Sequence, residues 1–274
     1  MDPITLVPTP DQIAKPQLAA TVILVRDGVQ GPEAFLMRRS MQSRFMPGAY
    51  VFPGGKVDPA DALLAQGAQS PAFVVAAVRE LFEEAGVLLA LNEVGEYPAL
   101  NEHSAYWQVE RARIRQEPEL FGALLKKHRL TLATELIKPW SWWMTPVIEA
   151  RRFDTRFFIA RLPAEQVPLH DGFEATDSLW MPVGQCVLGY QEGAVTMAPP
   201  TMATLVEMSG LATVDALMHA APYDRAMRFP FFGQDSRDRA VLLLPGDPDY
   251  PKEQPAVRGP TRVVLENGRW WVVS

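Results

Sequence analysis

The run Arg79-Glu80-Leu81-Phe82-Glu83-Glu84-Ala85-Gly86-Val87 constrains this chain more than any other stretch, because a helix built from it holds three carboxylates together. Residues three and four apart are helix neighbours, roughly 5–6 Å between Cβ atoms, so Glu80, Glu83 and Glu84 converge. Each like-charge pair at that spacing costs about 0.2–0.5 kcal/mol on an exposed helix, and more where water is excluded. Arg79 reaches Glu83 one turn on. One guanidinium still leaves a surplus of negative charge, which suits a hard divalent cation with oxygen ligands, Mg²⁺ or Mn²⁺. Val74, Val78, Leu81, Ala85 and Leu88 form an apolar stripe on the other side, which predicts a helix whose carboxylates face away from the core. Gly86 suits its end, since glycine adopts the left-handed conformation that turns the chain away. Adjacent glutamates by themselves are commonly a solvated face, so the flanking residues carry the rest of the reading.

Upstream, Phe52-Pro53-Gly54-Gly55-Lys56-Val57-Asp58 runs an apolar strand into a Pro-Gly-Gly turn whose backbone can approach a ligand closely. Strand, glycine loop and acidic helix together resemble the box of the Nudix hydrolases, a loop-helix-loop metal site. Arg79 to Val87 matches the second half of that box at every specified position. The first half is spaced differently. Counted forward from Gly55, the family's first glutamate falls on Asp61; counted backward from Arg79, it falls on Pro71. Residues Ala60 to Pro71 therefore read as an insertion between glycine loop and helix, tolerable because a longer surface loop adds closure entropy only slowly.

A second pattern precedes the glycines: Phe35-Leu36-Met37-Arg38-Arg39-Ser40, then Arg44, Gly48 and Phe52-Pro53-Gly54-Gly55. It resembles the motif that marks coenzyme A diphosphatases among Nudix enzymes, with Met37 where that motif has threonine. Planar guanidinium groups bind phosphate oxygens in bidentate fashion, so Arg39 and Arg44 are candidates for the pyrophosphate and the ribose 3′-phosphate. Further on, the segment Glu149 to Phe158 and the Pro-Gly-Asp-Pro run from Pro245 resemble the branch with an interrupted box, to which the peroxisomal coenzyme A diphosphatases belong.

The resemblance implies an α/β (α+β) fold, a Nudix-type α/β/α sandwich around a mixed sheet. It implies metal-dependent hydrolysis of coenzyme A or acyl-coenzyme A to 3′,5′-ADP and 4′-phosphopantetheine or its acyl form. Glu80, Glu83 and Glu84 would be the metal ligands for Mg²⁺ or Mn²⁺, helped by a carbonyl of Gly54 or Gly55. Glu80, Arg79 and Glu83 would carry catalysis, with Arg79 orienting a glutamate. Arg39, Arg44, Gly48, Phe52, Gly54 and Gly55 would bind substrate. Glu80 is the first candidate for general base, and Glu174, Asp177 and Glu192 are outside candidates. A pyrophosphohydrolase acting on ADP-ribose, a dinucleotide or another nucleoside diphosphate derivative stays open, as does a nucleotide-binding module without catalysis.

Composition agrees with such an enzyme. A chain of 274 residues with 48% apolar content can bury a full core, and a net charge of −6 argues against nucleic acid as a general partner. Its single cysteine, Cys186, excludes an intramolecular disulfide and a cysteine-rich zinc site. No apolar run spans a bilayer, and neither a signal peptide nor a C-terminal peroxisomal address is legible, so the expectation is a cytoplasmic protein with a small nucleotide substrate and no membrane partner. A homodimer is left open.

Along the chain, residues 1–17 read as an N-terminal extension, 18–222 as the Nudix domain with a helical insertion over about 101–138, and 223–274 as a C-terminal extension. Leu18–Arg26 and Glu33–Arg39 predict a hairpin. The Arg and Lys residues of the insertion are expected on a solvated face, and Trp140, Trp142 and Trp143 in core packing. Arg151–Arg161 and Glu174–Pro182 predict strands, and Pro199 opens a helix through Ala221. Ala240–Leu244 and Thr261–Val273 predict strands, the latter folded at Asn267-Gly268, within a tail made largely irregular by the chain's 25 prolines.

Overall fold

The first strand, β1 (Gln17–Gly28), alternates its apolar residues between two faces: Ala20, Val22 and Leu24 bury on one side, Ile23 and Val25 on the other. A strand covered on both sides is the middle of a three-layer structure. In the computed structural model, which describes residues 13–43, 46–68, 71–100, 104–221 and 226–273, β1 lies at the centre of a mixed sheet. β2 (Gly31–Arg39) returns antiparallel as the expected hairpin. β3 (Tyr50–Val51) pairs with the far end of β2, and β4 (Gly54–Lys56) pairs with Ala19 to Thr21 of β1. β1 therefore gives one edge to β4 and then to β2, and Phe52-Pro53 fills the gap between, held by the Val22 N–H donating to the Pro53 carbonyl at 2.8 Å. The glycine pair expected as a bend is thus itself a short strand.

Next come α1 (Pro59–Ala68), α2 (Ala72–Ala85), β5 (Ala90–Leu91), α3 (Ala105–Gln116), α4 (Leu120–Lys127) and β6 (Thr131–Leu132). They pack on the Val22 face, where Val74, Val78, Leu81 and Ala85 of α2 are buried as the stripe requires. Then β7 (Lys138–Met144), β8 (Phe153–Arg161) and β9 (Ala175–Pro182) complete most of the sheet, β8 running parallel to β1 and β9 antiparallel to β2. The opposite layer is α5 (Val183–Glu192), α6 (Pro199–Ser209) and α7 (Val214–Ala220), closing over Ile23, Val25, Leu36 and Ile159. The result is the α/β/α sandwich around a mixed sheet. Trp140 and Trp143 join this second core, as packing residues should.

Four local expectations change. The stretch after Asp58 is a helix, α1, because Ala65 and Leu64 have an apolar cluster to join. α5 was not foreseen, its helical pattern being masked by Gly184 and Gly189. The helix from Pro199 stops at Ser209 and restarts at Val214, where the Thr213 hydroxyl accepts from the Ala216 N–H at 3.1 Å and caps a new N-terminus. The tail is more ordered than its proline content suggests. After β10 (Met227–Arg228), which extends the main sheet, β11 (Phe231–Gln234), β12 (Ala240–Leu243), β13 (Arg262–Glu266) and β14 (Arg269–Val273) form a second, antiparallel sheet. The turn at Asn267-Gly268 has positive φ at both residues, 51° and 75°, as a tight hairpin demands. Among the described residues no helix is long and apolar enough to cross a membrane.

A bidentate ion pair helps to fasten this second sheet. Arg262 at the start of β13 donates to both oxygens of the buried Asp247, Nε to Oδ2 at 2.9 Å and Nη2 to Oδ1 at 2.6 Å. The hydrogen bonds from Arg262 hold the Asp247 carboxyl below its ordinary range despite burial. A depressed carboxylate stabilises above its unfolded pKa, about 3.9, and loses that contribution as pH falls through its folded value. Asp247→Asn is expected to cost about 1–3 kcal/mol in urea unfolding at pH 7, with the difference from the parent chain shrinking below about pH 4. A difference that is constant across that range would contradict this role.

Candidate active site

α2 starts behind Pro71 and ends at Gly86, which takes the left-handed conformation (φ 70°) and donates its N–H to the Phe82 carbonyl at 2.9 Å. Between these ends the helix turns Arg79, Glu80, Glu83 and Glu84 toward β4 and α1. They do not face solvent: Arg79 and Glu83 are buried, while Glu80 and Glu84 are half-buried, which corrects the expectation of a carboxylate face turned outward. Arg79 is the hub. Its Nε and Nη2 donate to Asp61 at 2.8 and 2.9 Å, and its Nη1 donates to Glu83 Oε1 at 2.7 Å. Nη2 also donates to the Lys56 carbonyl at 2.9 Å and lies 3.0 Å from Glu80 Oε1. Asp61, the position reached by counting forward from Gly55, is therefore the bidentate partner of Arg79, brought back to the helix by the fold of α1.

β4 meets these carboxylates with no side chain in the way. The Gly54 N–H donates to Glu84 Oε2 at 2.8 Å, and a Cβ on Gly55 would lie 2.5 Å from Glu80 Cδ. A Cβ on Gly54 would lie 2.4 Å from the Ala20 carbonyl oxygen, so glycine is required there, whereas at Gly55 only the carboxyl end of Glu80 would have to move. Burial pushes the proton affinities of Glu80 and Glu84 up; Arg79 opposes this at Glu80, and the Gly54 N–H opposes it at Glu84, where the neighbouring Glu80 charge pushes further up. Glu83 is also raised by burial, against the pull of Arg79. For Arg79, burial lowers proton affinity, but the hydrogen bond to Asp61 and the surrounding carboxylates outweigh it and hold the guanidinium charged.

Two carboxyls whose charge is disfavoured by burial and by each other are a donor set that a hard cation would relieve. Among the described residues no three His, Cys, Asp or Glu side chains converge tightly enough to cage an ion alone. Glycine carbonyls, water and substrate oxygens would have to complete the shell, as suits Mg²⁺, which keeps several waters.

Residues beyond the glycine strand and acidic helix hold this arrangement. Arg111 of α3 is buried and caps the C-terminus of α2, its Nε donating to the Glu83 carbonyl at 3.2 Å and its Nη2 to the Glu84 carbonyl at 3.0 Å. Arg115, one turn on, donates to Asp171 at 2.5 Å, and Asp171 accepts from the backbone N–H groups of Phe173, Glu174 and Ala175. These arginines belong to the insertion and are not merely a solvated face. They fix the loop bearing Glu174, whose charge raises both Glu80 and Glu84. Asp177 and Glu192, the other outside candidates, are exposed, as Glu174 is, and are not among the leading influences on either carboxyl.

Beside Glu84 opens a cavity of about 490 Å³, lined mostly by apolar groups that include Phe52, Met144, Phe153, Phe157 and Trp143. Gly54, Thr21 and Arg39 also line it, and Phe232, Leu242 and Trp270 of the C-terminal sheet close one side. Arg39 donates Nε and Nη2 to the Ser43 hydroxyl at 3.2 and 2.7 Å, and Gly48, with φ 73°, closes the loop that carries it. Arg44 lies outside the described residues. Trp143 keeps its Nε1–H buried without an acceptor among the described residues.

A mixed-sheet sandwich with an arginine-linked acidic helix against a glycine strand defines a Nudix hydrolase, and the comparisons agree. The family model for the NUDT19 Nudix domain matches residues 65–208. The chain is 28% identical to the acyl-coenzyme A diphosphatase NUDT19 of Xenopus laevis over 85% of its own length and 75% of that protein, and 28% identical to the Homo sapiens protein of the same name over 81% and 73%. The crystal structure of a Nudix hydrolase from Alicyclobacillus acidocaldarius superposes with a TM-score of 0.70 at 28% identity, covering 77% of this chain and 98% of that one. The chain belongs to the NUDT19 family of Nudix hydrolases and is a pyrophosphohydrolase. Enzymes of this superfamily generally use divalent metal ions.

If Arg79 is the shared counter-charge, removing it leaves buried carboxylates unopposed. Arg79→Met is expected to cost about 3–5 kcal/mol in urea unfolding. Adding Asp61→Asn should recover a measurable part, because the surplus negative charge falls. Strictly additive losses would contradict the hub.

Proposed function

We propose that this chain hydrolyses the pyrophosphate bond of coenzyme A or an acyl-coenzyme A, giving 3′,5′-ADP and 4′-phosphopantetheine or its acyl form. The observation that carries this reading is the placement of Glu80 and Glu84 against the glycine strand, with Glu84 at the rim of a large apolar cavity that has Arg39 in its wall. A substrate with a charged pyrophosphate and a long, mainly apolar arm fits that juxtaposition, and the activity named for the relatives from Xenopus laevis and Homo sapiens supports it.

In this reading Glu80 and Glu84, with Glu83 steered by Arg79, would hold Mg²⁺ or Mn²⁺. The ion, when bound, supplies neutralisation of the phosphoryl oxygens and activation of water. The strand Gly54–Lys56 lets the pyrophosphate approach the backbone closely, and Arg39 pairs with its oxygens. Glu174 takes the proton of the attacking water in place of the sequence-based nominee, Glu80, which is occupied in holding the cation. The apolar cavity excludes water around the arm. Residues 18–222 then form the catalytic domain, and the extension 223–274 completes the wall of its pocket through Phe232, Leu242 and Trp270.

Mass-spectrometric identification of products from coenzyme A, acyl-coenzyme A and ADP-ribose with Mg²⁺ or Mn²⁺ tests the substrate; preferential cleavage of ADP-ribose would overturn it. Glu84→Gln is expected to lower turnover by more than the roughly 10–100-fold that losing a mere supporting residue costs a metal site, with circular dichroism unchanged. Glu174→Gln should lower kcat by about 10²–10⁴-fold with the fold unchanged, and a kcat equal to that of the parent enzyme would take proton transfer away from Glu174.

A further inference from the structure

A second cavity, of about 320 Å³, lies at the beginning of β1 and is lined by Ala14, Lys15, Gln17, Lys56 and the segment Ala150 to Phe153. Four of these lining residues are cations, Lys15, Lys56, Arg151 and Arg152, and none is an acid. Arg152 is buried, at 7% exposure, and among the described residues no carboxylate pairs with it. Its Nε donates to the Thr145 carbonyl at 3.1 Å and its Nη1 to the Ala14 carbonyl at 3.0 Å, while Phe229 lies under the guanidinium at 5.9 Å. Burial without an opposing acid lowers its proton affinity. A buried guanidinium is expensive without a counter-charge, and three more cations around the same space make the local surplus larger.

The position of this cavity relative to the active site follows from β4. Gly54 meets Glu84, Gly55 meets Glu80, and the next residue, Lys56, lines the basic cavity. At about 3.3 Å per residue, Lys56 is roughly 7 Å along the strand from Gly54. Phe153 lines both cavities, so the two spaces flank the same stretch of sheet.

We propose that this basic cavity is a subsite for a phosphate monoester, the phosphate that a nucleotide substrate carries apart from the bond being cleaved. The inference rests on the reading of the active site as a pyrophosphohydrolase for a coenzyme A-like molecule, and in that case its ligand is the ribose 3′-phosphate. Lys56, Lys15 and Arg151 would meet the dianion at the mouth, and Arg152 would neutralise it from below. This takes the 3′-phosphate away from Arg39 and Arg44 and leaves the former to the pyrophosphate.

The test compares kcat/KM for coenzyme A with kcat/KM for 3′-dephospho-coenzyme A in the full chain and in Lys56→Met and Arg151→Met variants. Arg152 is left in place because it also holds two backbone carbonyls. The ratio is expected to fall about tenfold or more in each variant, the loss of one charge-assisted hydrogen bond to the phosphate. A ratio unchanged in both variants, or one that collapses in Arg44→Ala alone, would overturn the proposal. Binding is read separately by thermal shift with adenosine 3′,5′-bisphosphate and with AMP. A larger rise in Tm with the bisphosphate, abolished in the Lys56→Met/Arg151→Met double variant, supports the subsite even if coenzyme A proves not to be cleaved, in which case only the substrate reading falls. Equal shifts with both nucleotides would overturn the subsite whatever the substrate.

Discussion

The structure turns on one buried guanidinium. Arg79 sits between α1, α2 and β4 and is shared by Asp61, Glu83, Glu80 and the Lys56 carbonyl. Without it, the acidic helix could not lie against the glycine strand, because buried carboxylates without a counter-charge repel and desolvate at a cost of several kcal/mol. With it, both oxygens of Asp61 and one of Glu83 are paired, and the remaining negative charge is concentrated on Glu80 and Glu84 at the strand. Neutralising part of a cluster decides where the unneutralised part lies, and here it lies against the glycines of β4, with Glu84 at the lip of the large cavity.

Around this hub the chain adds support from distant segments. The helical insertion contributes Arg111, which satisfies the last carbonyls of α2, and Arg115, which anchors Asp171 and so the loop of Glu174. The C-terminal sheet supplies one wall of the apolar cavity. It is attached to α5 through Arg269, whose Nη2 donates to the Tyr190 carbonyl at 2.6 Å, and through the Tyr190 hydroxyl, which donates to the Trp270 carbonyl. Insertion and extension, which look peripheral along the sequence, position the acidic helix α2 and shape the large apolar cavity.

How much of this could be read beforehand followed the range of the interactions. The stripe from Val74 to Ala85, the Gly86 terminus, the first hairpin and the Asn267-Gly268 turn are local, so their periodicity and turn chemistry were enough. Asp61 was ambiguous because two spacings gave two answers; the ion pair with Arg79 depends on α1 folding back across the helix, which spacing does not reveal. Arg111 looked like one charge among many on a polar helix, although its placement next to Ile114 and one turn from Arg115 was a faint sign of a buried face. The cavities were illegible, since Phe153, Trp143, Trp270, Lys56 and Arg152 meet only through the sheet. α5 was hidden by its glycines, and of the second sheet only β11 and the pairing of its strands escaped, since β12, β13 and β14 fall within the predicted runs.

The central claim is that Glu80 and Glu84, set against the two glycines of β4, make a site for a divalent cation. Titration of the protein with Mn²⁺, followed by the loss of the free-ion signal in electron paramagnetic resonance, measures this without substrate or turnover. The chain is expected to bind Mn²⁺, and Gly55→Ala is expected to abolish binding while leaving the fold intact, because the new methyl displaces only the mobile carboxyl end of Glu80. Mn²⁺ binding of equal strength in Gly55→Ala, or none in the parent chain, would contradict the account.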